Sequence, residues 1–219
     1  MARLPRLAIP GHPHYLILRG HSGQAVLTDD ADRELFLAAL REACSQHGVA
    51  VHAYALLDNE VQLLLTPPTA AALSRCVQAL GRRYVPAFNR RHGRSGTLWD
   101  GRFHGAVVEA GARLLTVLLL IDGLGGAEPG AASALQSSAA HRLGRQRQAW
   151  LVDPPELWQL GNTPFEREAA YGRRLSQGLG STELDALRQA ALRGWGIGSP
   201  DFLGAQAGSA GRPLQPRPR

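Results

Sequence analysis

The sequence contains no lysine, so all 24 of its basic residues are arginine. A GC-rich coding sequence produces the same bias, so the bias alone identifies no partner. Its physical consequence stands regardless, because the planar guanidinium presents paired donors that match a phosphate. Cysteine is nearly as scarce: Cys44 and Cys76 are the only two. Two cysteines outside any CxxC spacing make no zinc site, and their helical surroundings predict buried free thiols rather than a disulfide. Aromatics make up 6% of the chain against 44% apolar residues, which predicts an aliphatic core. The longest apolar run, residues 114–121, is far shorter than the roughly 20 residues of a membrane span. Residues 1–6 lack the apolar stretch of a secretion signal. The expectation is a cytoplasmic chain with no membrane partner.

Local positive charge is what the chain has in excess. The net charge is +6, with an isoelectric point near 10.3. Between Arg75 and Arg102 lie seven arginines (75, 82, 83, 90, 91, 94 and 102) against the single acid Asp100. A solvated helix face usually mixes signs, so a one-sign stretch points to a polyanionic partner.

Periodicity predicts the elements. His14 to Arg19 reads as a strand closed by Gly20. Asp29 and Asp30 open a helix, since acids favour the first turn; Leu35, Phe36, Leu40 and Ala43 continue it and Gly48 ends it. Val49 to Leu57 reads as a strand with Val49, Val51, Ala53 and Ala55 on one face. Asp58 and Asn59 form a hairpin turn, Val61 to Leu65 returns, and Pro67 and Pro68 stop it. Thr69 to Arg91 reads as a long helix that Pro86 should kink or divide. His104 to Glu109 reads as a strand and Ala112 to Leu124 as an apolar helix. This β-α-β-β-α-β order is the split βαβ, ferredoxin-like plan, an α+β class with an antiparallel sheet. Residues 125–149 read as loop, and Pro164 to Gln177 and Ser181 to Arg193 as two further helices. The expected division is a domain over 1–125, a loop and small helical C-terminal region over 126–203, and a basic disordered tail over 204–219.

Several stretches together carry a resemblance. They are Met1-Ala-Arg-Leu-Pro-Arg, then Gly11-His-Pro-His-Tyr with Arg19-Gly20, then Val51-His-Ala-Tyr-Ala-Leu-Leu-Asp-Asn-Glu-Val-Gln-Leu-Leu-Leu-Thr, then Leu80-Gly-Arg-Arg-Tyr-Val, and Phe88-Asn-Arg-Arg-His-Gly-Arg-Ser-Gly-Thr-Leu-Trp-Asp-Gly-Arg-Phe. Over residues 1–125 the chain resembles the REP-associated tyrosine transposases, relatives of the insertion-sequence-200-type enzymes. The resemblance implies an HUH fold that binds hairpin DNA and nicks single strands. It also implies three chemical parts: a histidine–hydrophobic–histidine triplet holding a divalent metal on one strand face, a tyrosine nucleophile on a later helix, and a polar metal ligand four residues beyond it.

The chain departs from that pattern at each part. The triplet falls on Glu60-Val61-Gln62, so both histidines are gone. Leu120 aligns with the tyrosine and Leu124 with the polar ligand. Leucine neither attacks phosphorus nor binds a metal. Glu60 and Gln62 offer oxygens that suit Mg²⁺, which leaves a weak residual site as an alternative to side chains facing solvent or a polar neighbour. The expectation is no cofactor and no strand cleavage.

Tyr15, Tyr54, Tyr84 and Tyr171 read as structural, and so do the isolated strand histidines His14, His52 and His104. What the pattern keeps is a binding apparatus: Arg19, Arg82, Arg83, Arg90, Arg91, Arg94 and Arg102 for phosphates, with Trp99 either stacking on an unpaired base or packing in the core. The leading expectation is a transposase-like DNA-binding protein that takes hairpin or single-stranded DNA. The alternatives are an active single-strand nuclease with substituted ligands and a co-opted RNA- or protein-binding module.

Overall fold

A computed structural model describes residues 7–125 and 136–215. Its first strands are β1 (His14–Arg19), β2 (Ala50–Leu57), β3 (Glu60–Thr66) and β4 (His104–Val107). The helices α1 (Asp30–His47), α2 (Ala70–Arg91) and α3 (Ala112–Gly123) alternate with them. A two-residue strand β5 (Gln136–Ser137) adds an edge, giving the order β4-β1-β3-β2-β5 with every pairing antiparallel. The fold class is therefore α+β, and the first four strands with α1 and α2 follow the split βαβ plan.

Local chemistry sets the boundaries. Asp29 accepts from the Asp32 amide at 2.9 Å and caps α1. Gly48, in the left-handed region at φ 64°, closes that helix. On α2, Leu73, Cys76, Leu80, Tyr84 and Phe88 recur at helical spacing and are buried. Pro86 lies inside α2 without dividing it, and the side chain is exposed. β4 ends at Val107, two residues short of expectation; Val108 still donates to the Pro13 carbonyl and forms an isolated parallel bridge to Ile197.

The sheet is buried on both faces. One face, with Leu16, Leu18, Val61, Leu63 and Leu65, packs on α1 and α2. There the two thiols meet, Cys44 Sγ lying 3.3 Å from Cys76 Sγ. The other face, with Tyr15, Ile17, Ala53, Ala55 and Leu64, packs on α3, α6 (Pro164–Gln177) and α7 (Ser181–Arg193). Between β5 and α6 stand two single-turn helices, α4 (Ala139–Arg142) and α5 (Pro155–Trp158).

Two expectations are corrected. Val49 and Val51 face the α1–α2 layer but Ala53 and Ala55 face the opposite one, because the register shifts between Val51 and Ala53. A β-bulge there re-aims the following side chains. The segment from Gly204, expected to lack structure, begins inside α8 (Pro200–Ala210). Ser199 caps α8 by accepting from the Phe202 amide, and Leu203 and Leu214 bury against Leu7, Ile9 and Val107. Residues 216–219 lie outside the described residues.

Candidate nucleic-acid interface

Glu60 and Gln62 are two apart on β3 and so share a face. Gln62 is opposite Ile17 and Glu60 opposite Arg19 in the register. Both side chains are buried, at 4% and 1% exposure, and they have polar neighbours instead of solvent. The Tyr15 hydroxyl donates to Gln62 Oε1. Gln62 Nε2 donates to Glu60 Oε1 at 2.7 Å. From α7, Arg188 closes the chain as a fork, Nη1 to Oε1 at 2.7 Å and Nη2 to Oε2 at 2.6 Å. Arg19 Nε stands 3.6 Å from the same Oε2. A divalent cation does not fit this donor set, since a guanidinium engages both carboxylate oxygens and its charge opposes a second cation there. Among the described residues no group of three or more His, Cys, Asp or Glu side chains is gathered as a metal site.

Leu120 on α3 is buried at 5% exposure and Leu124, just past the end of that helix, is half-buried, both in the apolar cluster that holds Tyr15 and Ile17. Tyr15 thus brings a hydroxyl to Gln62, in the neighbourhood of the positions that the resemblance marks. That phenol is fully buried. Burial pushes its pKa up, with Arg188 opposing and Glu60 adding to the shift. A buried neutral phenol that already donates a hydrogen bond is a poor nucleophile.

The other candidate side chains have structural partners. Tyr54 stacks on Trp150, ring centroids 5.8 Å apart, and Tyr84 donates to the Val26 carbonyl at 2.5 Å. His52 is fixed between the Val152 carbonyl and Thr66 Oγ1, at 2.7 and 2.8 Å, and His104 against the Leu192 carbonyl at 2.8 Å. His14 accepts from the Ile9 amide at 3.0 Å through Nε2 and meets the His12 carbonyl at 2.7 Å through Nδ1. Sequence reasoning missed a second buried cluster altogether. Asp122 accepts from Arg142 at 2.6 Å, from Tyr171 at 2.6 Å and from Ser138 at 2.5 Å. The three donors lie 16 to 49 residues away in sequence, with nothing local to announce them.

The arginines of the 75–102 stretch divide into two groups. Arg83 pairs with Glu42 at 2.8 Å. Arg91 pairs with Asp29 and Asp32, at 2.8 and 2.6 Å. These two tie α2 to α1, and acids of α1 balance their charge. Arg94 donates to Gln24 Oε1 at 2.8 Å and lies over the Phe88 ring. Arg75, Arg82, Arg90 and Arg102 are exposed, and among the described residues none of them forms an ion pair. Spacings of seven and eight residues keep Arg75, Arg82 and Arg90 near one face of α2.

Shallow depressions run beside this face. Arg75, Arg82 and His47 line one of about 340 Å³. Arg75, Arg102, Trp99 and Phe103 line the next, of about 300 Å³. Trp99, Arg102 and Arg19 line a third. Shared residues make them one arginine-edged groove, in which Asp100 is the one acid. Trp99 is half-buried: it packs edge-on to Phe36, with centroids 6.3 Å apart, and still lines the groove.

No family model and no curated protein matches the sequence. Among solved structures, the chain is similar to a REP-associated tyrosine transposase bound to a REP hairpin, at 14% identity and a TM-score of 0.45 over 56% of this chain and 71% of that one. It is also similar to a candidate transposase from Deinococcus radiodurans, at 23% identity and a TM-score of 0.38 over 52% of this chain and 91% of that one. Likeness at this level carries no residue role across. No helix among the described residues is long and apolar enough to cross a membrane.

Proposed function

We propose that this chain is a transposase-like DNA-binding protein that takes hairpin or single-stranded DNA along the groove beside α2 and does not nick it. The observation that carries the reading is the division of the arginines. Arg75, Arg82 and Arg102 line the groove without an acid partner, and Arg90 follows on the same side of α2, whereas acids at α1 balance Arg83 and Arg91. Arg19 and Trp99 extend the surface, the half-buried tryptophan offering a ring on which an unpaired base could stack. The sequence resemblance to the REP-associated tyrosine transposases favours a DNA hairpin over other polyanions. The same resemblance places Leu120 at the nucleophile and Leu124, Glu60 and Gln62 at the metal, and none of these side chains, as folded, supplies a nucleophile or an open cation site. No cofactor is part of the proposed activity.

The test is hairpin affinity against salt. If the four unbalanced arginines each neutralise one phosphate, log affinity falls by about 3 to 4 per log unit of salt. Arg82→Ala and Arg102→Ala each lower that slope by about 0.7 to 0.9. A slope near zero contradicts the reading. Tighter capture of RNA hairpins than of DNA hairpins selects the RNA-binding alternative.

A further inference from the structure

On the opposite face of the sheet from the groove lies a cavity of about 490 Å³ between α4, α5 and α6. Its walls include Arg147, Asp153, Trp158, Arg167 and Glu168, and Tyr171 lines its buried side. The volume is within the range of small-molecule sites. Trp158 is 59% exposed at its rim. Phe165, at 81%, and Val152, at 48%, stand close to it in sequence, so three of the four exposed large apolar side chains among the described residues fall within 152–165. Of these three, Trp158 lines the cavity itself.

The chemistry of the walls narrows the ligand. The Arg167 guanidinium lies 4.6 Å from the centre of the Trp158 ring, so this indole already receives a planar group on one face. Arg147 is exposed and, among the described residues, forms no ion pair. Asp153 stands 3.5 Å from His141. The Glu168 carboxylate lies against Gly144, where a Cβ would come within 2.5 Å of it. A wholly apolar ligand would strip water from arginines and carboxylates without replacing it. A compact anion would meet two carboxylates. A nucleotide satisfies both signs: its ring stacks and offers N–H donors to the carboxylates, and its phosphate lies apart, toward Arg147 and Arg167.

We infer that this cavity takes one unpaired nucleotide, the base on Trp158 and the phosphate on Arg147 and Arg167. Where the nucleotide belongs to a bound strand, the inference rests on the DNA-binding reading above. A free nucleotide has the same chemistry and does not depend on that reading.

The experiment uses the full chain with Trp158→Ala and Arg147→Ala, both exposed positions whose replacement should leave the circular dichroism unchanged. Each protein is titrated with a blunt DNA hairpin, with the same hairpin carrying a single-stranded extension, and with deoxynucleoside monophosphates. The expected result is that Trp158→Ala weakens the extended hairpin by about 5- to 150-fold and leaves the blunt one unchanged, with Arg147→Ala acting in the same direction. Monophosphate binding that Trp158→Ala abolishes, with both hairpins unaffected, supports the cavity and assigns it to a free nucleotide. Monophosphate binding without any hairpin binding supports the cavity while the groove reading fails. Equal behaviour of wild type and both variants on the extended hairpin and the monophosphates, or no binding of either probe, overturns the inference.

Discussion

Arg188 and Glu60, 128 residues apart, share two hydrogen bonds of 2.7 and 2.6 Å that fasten α7 to the end of β3. The carboxylate lies where little water reaches it, next to Gln62 and the Tyr15 hydroxyl. A charge so placed depends on its partner. The pair therefore has two consequences: it holds the C-terminal helices against the sheet, and it occupies the oxygens that a cation at Glu60 would need.

The stability consequence is directional. Arg188→Ala leaves the buried carboxylate only the Gln62 amide and the more distant Arg19 and should lower stability in urea unfolding, by less than the roughly 3 kcal/mol of a fully buried pair because Arg188 is partly exposed. Replacing both residues together, Glu60→Leu with Arg188→Leu, should cost much less, because removing both charges also removes the penalty of burying them. Equal losses in the single and double variants would show that the pair is not coupled.

The division of the arginines makes a contrast. Arg83→Ala and Arg91→Ala should lower stability and leave the salt slope of hairpin binding unchanged. Arg91 is the larger of the two, because it meets both Asp29 and the fully buried Asp32. Arg75→Ala and Arg90→Ala should do the reverse. Anisotropy titrations beside thermal unfolding of the same variants check the assignment, which fails if Arg91→Ala changes the slope as much as Arg90→Ala.

His14 gives a pH dependence. Burial, partly offset by its hydrogen bond to the His12 carbonyl, lowers its pKa from 6.5 to about 4. The unfolded chain then binds the proton first as pH falls. The stability contribution is complete above about pH 6.5 and is lost progressively from there down to about pH 4, up to roughly 3 kcal/mol. His14→Gln should lower stability at neutral pH and flatten the profile between those values. A wild-type profile that is already flat there would contradict the assignment.

The parts of the fold legible in the sequence were those with local chemical signals. Asp29 and Gly48 bound α1, Asp58 and Asn59 turn the hairpin, and Pro164 opens α6 behind a Thr163–Glu166 capping box. The bulge near His52 was not legible. Val49, Val51, Ala53 and Ala55 are all apolar, and on a strand buried on both faces alternation carries no signal. Helix α8 was missed because its Gly and Ala content reads as disorder, although Ser199 and Pro200 are a standard cap and first residue. In the candidate site, the composition of Glu60 and Gln62 was plain but their partner was not. Arg188 is one of two arginines on the surface-patterned helix α7, and only the three-dimensional fold shows which of them reaches the sheet.

The central claim is that the chain holds DNA without cutting it, and one gel tests it most directly. Labelled hairpin DNA with single-stranded flanks is incubated with the full chain in Mg²⁺ or Mn²⁺, and the products are run under native and denaturing conditions. The account predicts a shifted band in the native lane and, after denaturation, intact DNA with no protein attached. A cleaved strand carrying covalently bound protein would contradict it, and loss of that adduct in Tyr15→Phe would identify the buried phenol as the nucleophile.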